Sequence, residues 1–138
     1  MGWNAVCVAF GVLIVDDDRL FLEAAHDLLE REGLRVVGVA ATAAEALRRA
    51  EELRPEVVLV DIMLGGESGF DLARRLAEHN RGGGPTVILI STHSEADFAD
   101  LIAESPAAGF VPKRNLSGRA IRRIVGGRAP GGSPGAGR

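Results

Sequence analysis

One cysteine, Cys7, stands in the 138 residues, so no disulfide can close within the chain. Cys7 is read as a small apolar residue. No apolar run approaches the ~20 residues that a membrane-spanning helix needs. Residues 1–11 are mildly apolar but lack a basic leading region and a small-residue cleavage site. They are therefore expected not to be a signal peptide. The expectation is a cytoplasmic protein with no membrane partner. No internal repeat is visible. Acids are missing from residues 113–138, which hold seven of the sixteen basic residues. Residues 1–112 thus hold nine basic and nineteen acidic residues. An acidic body with a formal net charge of -3 overall argues against generic nucleic-acid binding.

What the chain does have is apolar runs alternating with amphipathic stretches. Strands are expected at 12–15, 35–40, 57–60, 87–90 and 109–112. These runs are short, rich in Val and Ile and nearly continuous, as suits strands covered on both faces. Helices are expected between them. In 19–32 the stripe is Leu20, Phe21, Ala24, Ala25, Leu28 and Leu29, and Gly33 follows as a C-terminal cap. In 43–53 it is Ala43, Ala46, Leu47, Ala50 and Leu53; Thr42 with Glu45 reads as a capping box, and Pro55 as the stop. A third helix at 69–79 follows the Ser68–Asp71 cap signature and buries Leu72, Ala73, Leu76 and Ala77. A fourth starts near Ser94, with Asp97 three residues on, carries Phe98, Leu101 and Ile102, and stops at Pro106. The fifth runs from Ser117 to Gly126-Gly127 with Ala120, Ile121, Ile124 and Val125 inward. Residues 81–85 read as a loop. The organisation expected is an N-terminal extension over 1–11, one domain over 12–127, and a flexible Gly/Pro-rich tail over 128–138. The extension reads as an added piece of strand or a disordered overhang.

Five strands alternating with five helices imply a parallel sheet with right-handed crossovers. Ligands of such folds bind beyond the carboxyl ends of the strands. The first strand ends in Asp16-Asp17-Asp18, the third in Asp61, the fourth in Ser91-Thr92 and the fifth in Lys113. The second ends in Ala40-Ala41 and offers no chemistry. Asp18 reads as an N-cap for the first helix. Carboxylates converging on one rim repel and desolvate badly, so they call for a cation. An all-oxygen acidic site suits a hard ion, Mg2+ first.

With these motifs the chain resembles the response-regulator receiver domains of bacterial two-component signalling, the chemotaxis-regulator type. The resemblance is carried by Val-Leu-Ile-Val-Asp16-Asp17, by Val-Leu-Val-Asp61-Ile-Met-Leu with Ser68-Gly69, by Ile90-Ser91, and by Phe110-Val-Pro-Lys113. It covers roughly residues 11–127. It implies a flavodoxin-like doubly wound α/β fold, (βα)5, with strand order 2-1-3-4-5. It implies Asp61 as phosphoacceptor, with Mg2+ held by Asp17 directly, by Asp16 through water, by Asp61, and by the backbone carbonyl of Met63. Ser91 and Lys113 then hold the phosphoryl group, and Ser91 and Phe110 form the switch. The implied partners are a sensor histidine kinase or phosphotransfer protein and a second copy through the face of helix 4, strand 5 and helix 5. Such a protein is a phosphoacceptor with at most weak self-phosphorylation and self-dephosphorylation, not an enzyme.

The departures are local. Gly65-Gly66 stands where the family often has Pro, so a more mobile loop is expected. Arg114 follows Lys113 where Pro is usual, and Pro112 precedes it. Met63 and His93 occupy positions that tune dephosphorylation in the family; an apolar Met63 predicts slow self-hydrolysis. His26 and His79 are read as surface or packing residues. Three other readings compete. A receiver-fold interaction protein working without phosphorylation is disfavoured by the intact Asp16, Asp17, Asp61, Ser91 and Lys113. A Mg2+-dependent phosphatase would want an acid where Met63 stands. A flavin-binding relative would want a Ser/Thr/Gly-rich phosphate loop in place of the three acids. No output domain is visible, so the chain is either a stand-alone receiver or a receiver fragment of a DNA-binding transcriptional regulator; nucleic acid is a partner only in the second case.

Overall fold

The computed structural model describes residues 10–79 and 84–127. Expectations for residues 1–9 with Cys7, for 81–83, for the His79 side chain and for the 128–138 tail lie outside the described residues. The strands are β1 (Gly11–Val15), β2 (Arg35–Ala40), β3 (Val57–Asp61), β4 (Thr86–Ser91) and β5 (Gly109–Pro112). The helices are α1 (Arg19–Arg31), α2 (Ala43–Leu53), α3 (Gly69–His79), α4 (Ala99–Glu104) and α5 (Gly118–Gly127). All sheet pairings are parallel, and the order is β2-β1-β3-β4-β5. This is the flavodoxin-like order expected from the resemblance. Helix α4 is preceded by a 3-10 turn, Glu95–Phe98. Outside the sheet, Met63–Leu64 pairs with Glu67–Ser68 as a two-residue antiparallel ribbon.

Alternation along each strand divides the core in two. Leu13, Val15, Val58, Val60 and Leu89 face one layer with Ala46 and Ala50 of α2 and Leu72 and Leu76 of α3. Val12, Ile14, Leu59, Ile88 and Ile90 face the other with Ala25 and Leu29 of α1 and Ile121 of α5. Every residue of β1 and β3 is buried, so each apolar run serves both layers. Burying one Val or Ile side chain is worth ~1.5–3 kcal/mol, and these two strands fix the rim where the acids stand.

The helix ends follow local chemistry. Asp18 Oδ1 accepts from the backbone N–H of Leu20 and Phe21, at 3.0 and 3.4 Å, as an N-cap should. Gly33 takes φ +92 and ends α1. Thr42 Oγ1 accepts from Glu45 N, but the returning carboxylate of Glu45 reaches Ala41 N instead of Thr42 N. The capping box is therefore opened by one residue. Arg54 at φ 50 ends α2 before Pro55 does.

Several expected inward positions are corrected. Ala24 of α1 and Ala77 of α3 are exposed. Leu20 is 76% exposed and Leu101 50%; the cap at Asp18 turns Phe21, not Leu20, toward the core, and only Phe98 and Ile102 of the fourth element pack inward. Leu53, at the last turn of α2, is also partly exposed. The element that starts after Ser94 opens as a 3-10 turn, Glu95–Phe98, and becomes α-helical only from Ala99. The Gly65-Gly66 stretch forms the turn of the ribbon, with Gly65 at φ +61. Glu67 on that ribbon accepts from Ala43 N at 2.9 Å and so ties it to the start of α2.

Candidate functional site

Because β1 and β3 are neighbours in register, with Val15 opposite Val60, their terminal acids meet at one edge. Asp16 continues β1 by donating its N–H to Ala40 O at 3.0 Å. It is fully buried, Asp61 is buried, and Asp17 is exposed. One carboxylate oxygen from each of the three lies within 4.8 Å of the others. Asp16 Oδ1 accepts from Asp18 N at 2.9 Å, and Asp61 Oδ1 from Met63 N at 3.3 Å.

Glycine makes room behind Asp61. A Cβ at Gly69 would overlap the Asp61 carbonyl oxygen and stand 2.8 Å from Ile62 Cα. The first residue of α3 can thus press against the end of β3, and its N–H donates to Ile62 O at 2.8 Å. Gly65 brings the ribbon turn against Asp17: a Cβ there would sit 3.4 Å from Asp17 Oδ2.

Lys113 reaches this rim from the far edge of the sheet. Its Nζ is 2.6 Å from Asp16 Oδ2 and 3.3 Å from Asp61 Oδ2. The second contact is a hydrogen bond. The first is an ion pair outside hydrogen-bond geometry, and Asp16 Oδ2 accepts no hydrogen bond although it is buried. Burial opposes the Lys113 charge, but pairing with Asp16 and Asp61 outweighs it and holds the ammonium above its usual pKa. Burial, then repulsion from Asp16, pushes the Asp61 carboxyl up to about 6 against the pull of Lys113.

Ser91 ends β4 and is buried; it follows Ile90, the register partner of Asp61. Its Oγ accepts from His93 N at 3.0 Å, so its own O–H is free to donate elsewhere. Phe110 pairs in register with Leu89 and packs, half-buried, on the layer that holds α3. Pro112 is tolerated because β5 is an edge strand. The Met63 side chain is 55% exposed beside the site and brings no acid to it. His26 is exposed and lies 3.3 Å from Asp27.

The sequence-predicted residues thus divide. Asp16, Asp17, Asp61 and Lys113 come together in direct contact or within a few ångströms. Ser91 stands at the end of the next strand, and Phe110 lies farther down β5. One neighbour of Lys113 was missed by sequence reasoning: the Phe21 ring, whose centroid is 4.6 Å from Nζ. Phe21 was legible as an inward residue of the first helix, but its pairing with Lys113 depends on strand order.

The donor set fits a hard divalent cation. Three carboxylates in mutual reach, one with a buried oxygen that accepts no hydrogen bond, leave negative charge that Lys113 neutralises only in part.

Comparison with known proteins agrees with this geometry. The curated response regulator GacA of Pseudomonas viridiflava is 33% identical over 103 residues, which is 74% of this chain and 47% of GacA. The chain spans about half the length of the curated relatives it matches. A LuxR-family two-component response regulator from Aurantimonas sp. SI85-9A1 superposes with TM-score 0.76 at 30% identity, covering 87% of each chain. The signal receiver domain of a modulated diguanylate cyclase from Desulfovibrio desulfuricans G20 superposes with TM-score 0.70 at 32% identity, covering 86% of this chain and 91% of that one. Residues 12–125 match the family described as the response regulator receiver domain. Match, fold and acidic rim agree, and the chain belongs to the response regulator receiver domain family.

Proposed function

We propose that Asp61 accepts a phosphoryl group from a sensor histidine kinase or a phosphotransfer protein, and that the change in charge switches partner binding. The observation that carries this reading is the buried Asp61 carboxylate, within reach of Asp16 and Asp17 and hydrogen-bonded to Lys113. An Asp61 oxygen attacks phosphorus, the bond from phosphorus to the donor breaks, and the donor leaves with the electron pair. Such a transfer needs positioning and charge neutralisation more than covalent help. Lys113 supplies a fixed positive charge, and the free O–H of Ser91 supplies a donor for a phosphoryl oxygen.

Receiver domains bind Mg2+ at an acidic pocket, and here Asp16, Asp17 and Asp61 with the Met63 backbone carbonyl would hold it. Bound there, the ion neutralises charge on the carboxylates and the phosphoryl oxygens. Asp61 and Lys113 set the geometry on the protein side. In this reading the chain is a phosphoacceptor rather than an enzyme, since Met63 puts no second acid where phosphatase chemistry wants one. Ser91 and Phe110 form the switch. The face of α4, β5 and α5, with half-exposed Leu101, is where a second copy docks. No described helix is long and apolar enough to cross a membrane, and a cytoplasmic location belongs to the proposal. The match covers only about half of the curated relatives' length, and nucleic acid is a partner in this reading only if an output domain lies outside this sequence.

Intact mass after incubation with Mg2+ and acetyl phosphate tests the reading. One phosphate on the wild type and none on Asp61→Ala is expected. No adduct on the wild type, together with no beryllofluoride binding, overturns it in favour of a phosphorylation-independent interaction protein.

A further inference from the structure

Lys113 has a long way to reach. It follows β5, an edge strand, while Asp16 follows β1, and β3 and β4 stand between them. A lysine ammonium is a compact, strongly hydrated charge on a flexible stem. Left to itself it would spend much of its time in water. Here its side chain is only 12% exposed. Asp16 and Asp61 occupy two directions around Nζ, at 2.6 and 3.3 Å. A third is covered by the Phe21 ring at 4.6 Å from its centroid.

The ring is itself held in place. Phe21 sits in the first turn of α1, where its N–H donates to Asp18 Oδ1 at 3.4 Å. Its half-buried side chain packs on the layer shared by α1 and α5. The third acid of the Asp16-Asp17-Asp18 run therefore sets the helix start that sets the ring. A ring face attracts a cation through its quadrupole but has no lone pair to take a hydrogen bond. It can retain the ammonium and exclude water while leaving the ammonium hydrogens for oxygen acceptors. An acceptor side chain in the same place would compete with an incoming phosphoryl oxygen.

We propose that Phe21 is a positioning residue for phosphoryl transfer, its ring face holding the Lys113 ammonium at the carboxylate rim. The inference rests on the reading of Asp61 as phosphoacceptor. Phe21 acts through Lys113, the charged group that its ring faces at 4.6 Å. Removing the aromatic face should slow transfer by about five- to thirty-fold, the range of a cation–π contact that is partly to fully desolvated.

The test uses the full chain as wild type, Phe21→Leu, Phe21→Tyr, Lys113→Ala and the double variant Phe21→Leu/Lys113→Ala. Phosphorylation by acetyl phosphate is followed by intact mass. Mg2+ affinity and beryllofluoride affinity are measured by calorimetry. The expected result is slow phosphorylation and weak beryllofluoride binding for Phe21→Leu, with Mg2+ affinity within about twofold of wild type. Phe21→Tyr keeps the ring and stays near wild type. In the Lys113→Ala background, Phe21→Leu adds no further loss in either readout. Phe21→Met replaces the Leu variant if that one fails to fold. A Phe21→Leu protein that matches wild type overturns the proposal, as does an equal loss with and without Lys113, which would make Phe21 a packing residue only. A wild type that takes neither phosphate nor beryllofluoride overturns the Asp61 reading itself, and Phe21 falls with it; the two failures are thus distinct.

Discussion

Neutralising Asp61 should stabilise the metal-free protein. Asp61 lies buried against Asp16 with its carboxyl raised to about 6 from an ordinary 3.8. Because the folded-state value is the higher one, the folded chain binds the extra proton between these two values. The resulting stabilisation is complete below pH 3.8 and is lost as pH rises through 6. At pH 7.5 the ionised carboxylate therefore costs about 3 kcal/mol, taking 1.36 kcal/mol per unit. Asp61→Asn removes that cost, but it also weakens a partner of Lys113 at 3.3 Å, which offsets part of the gain. The net expectation is a gain of about 1–3 kcal/mol. For a domain of this size that corresponds to a rise in Tm of roughly 4–10 °C. Urea titrations with EDTA at pH 7.5 and pH 4 are the assay. The variant should be the more stable protein at pH 7.5, and the gap should close by pH 4. Saturating Mg2+ should narrow the gap at pH 7.5, because the wild type gains more from binding. An Asp61→Asn protein no more stable than wild type at pH 7.5 in EDTA would refute the repulsion argument and the need for a cation with it.

Other perturbations probe the supports of the site. Lys113→Ala leaves two buried carboxylates facing each other, and should lose about 2–4 kcal/mol in EDTA, as a broken buried pair does, with Mg2+ restoring most of it. Gly69→Ala sets a Cβ into the Asp61 carbonyl; a loss of about 1–3 kcal/mol by urea denaturation is expected, together with slower phosphorylation as the end of β3 shifts. Asp18→Ala removes the cap of α1 and should lower the unfolding free energy by about 1 kcal/mol, read as a lower urea midpoint at unchanged slope.

How much was legible in the sequence follows the range of the forces involved. Runs such as Val57–Val60 are continuous because both faces of the strand are covered, so composition alone marks the strand to within a residue. The acids at the ends of β1 and β3 were legible for the same reason: each abruptly ends a buried run. The fourth helix was not. Ser94 and Asp97 carry a capping signature, yet the Phe98 ring centroid is 6.2 Å from that of Phe70 and 5.8 Å from that of His93. Those contacts accompany a 3-10 turn over Glu95–Phe98, and tertiary packing outweighs a cap worth about 1 kcal/mol. Leu20 and Phe21 are adjacent on one predicted stripe, and only the orientation set by Asp18 separates the exposed one from the buried one. The Phe21–Lys113 contact joins α1 to the end of β5 and could be read only once the strand order was in hand.

The same long range explains why the site can be poised rather than relaxed. Asp16 and Asp61 are held together by β1 and β3, whose ten residues are buried without exception. Neither acid can move apart without breaking core packing, so their repulsion is retained in the folded state. That repulsion is discharged in three available ways: by a proton on Asp61, by the Lys113 ammonium, or by a cation in the acidic cluster. Only the ammonium is part of the chain. It comes from the opposite edge of the sheet, through β5, the strand that also carries Phe110. In the proposed reading, a change of charge at Asp61 would alter the pull on β5 directly, through Lys113, as well as through Ser91 on β4. An outcome follows that separates the two routes. With Asp61 carrying beryllofluoride, Ser91→Ala should reduce but not abolish the change in amide exchange over β5 and α5, whereas Ser91→Ala combined with Lys113→Ala should abolish it. Full loss of the response in Ser91→Ala alone would mean that Lys113 transmits nothing and only anchors the rim.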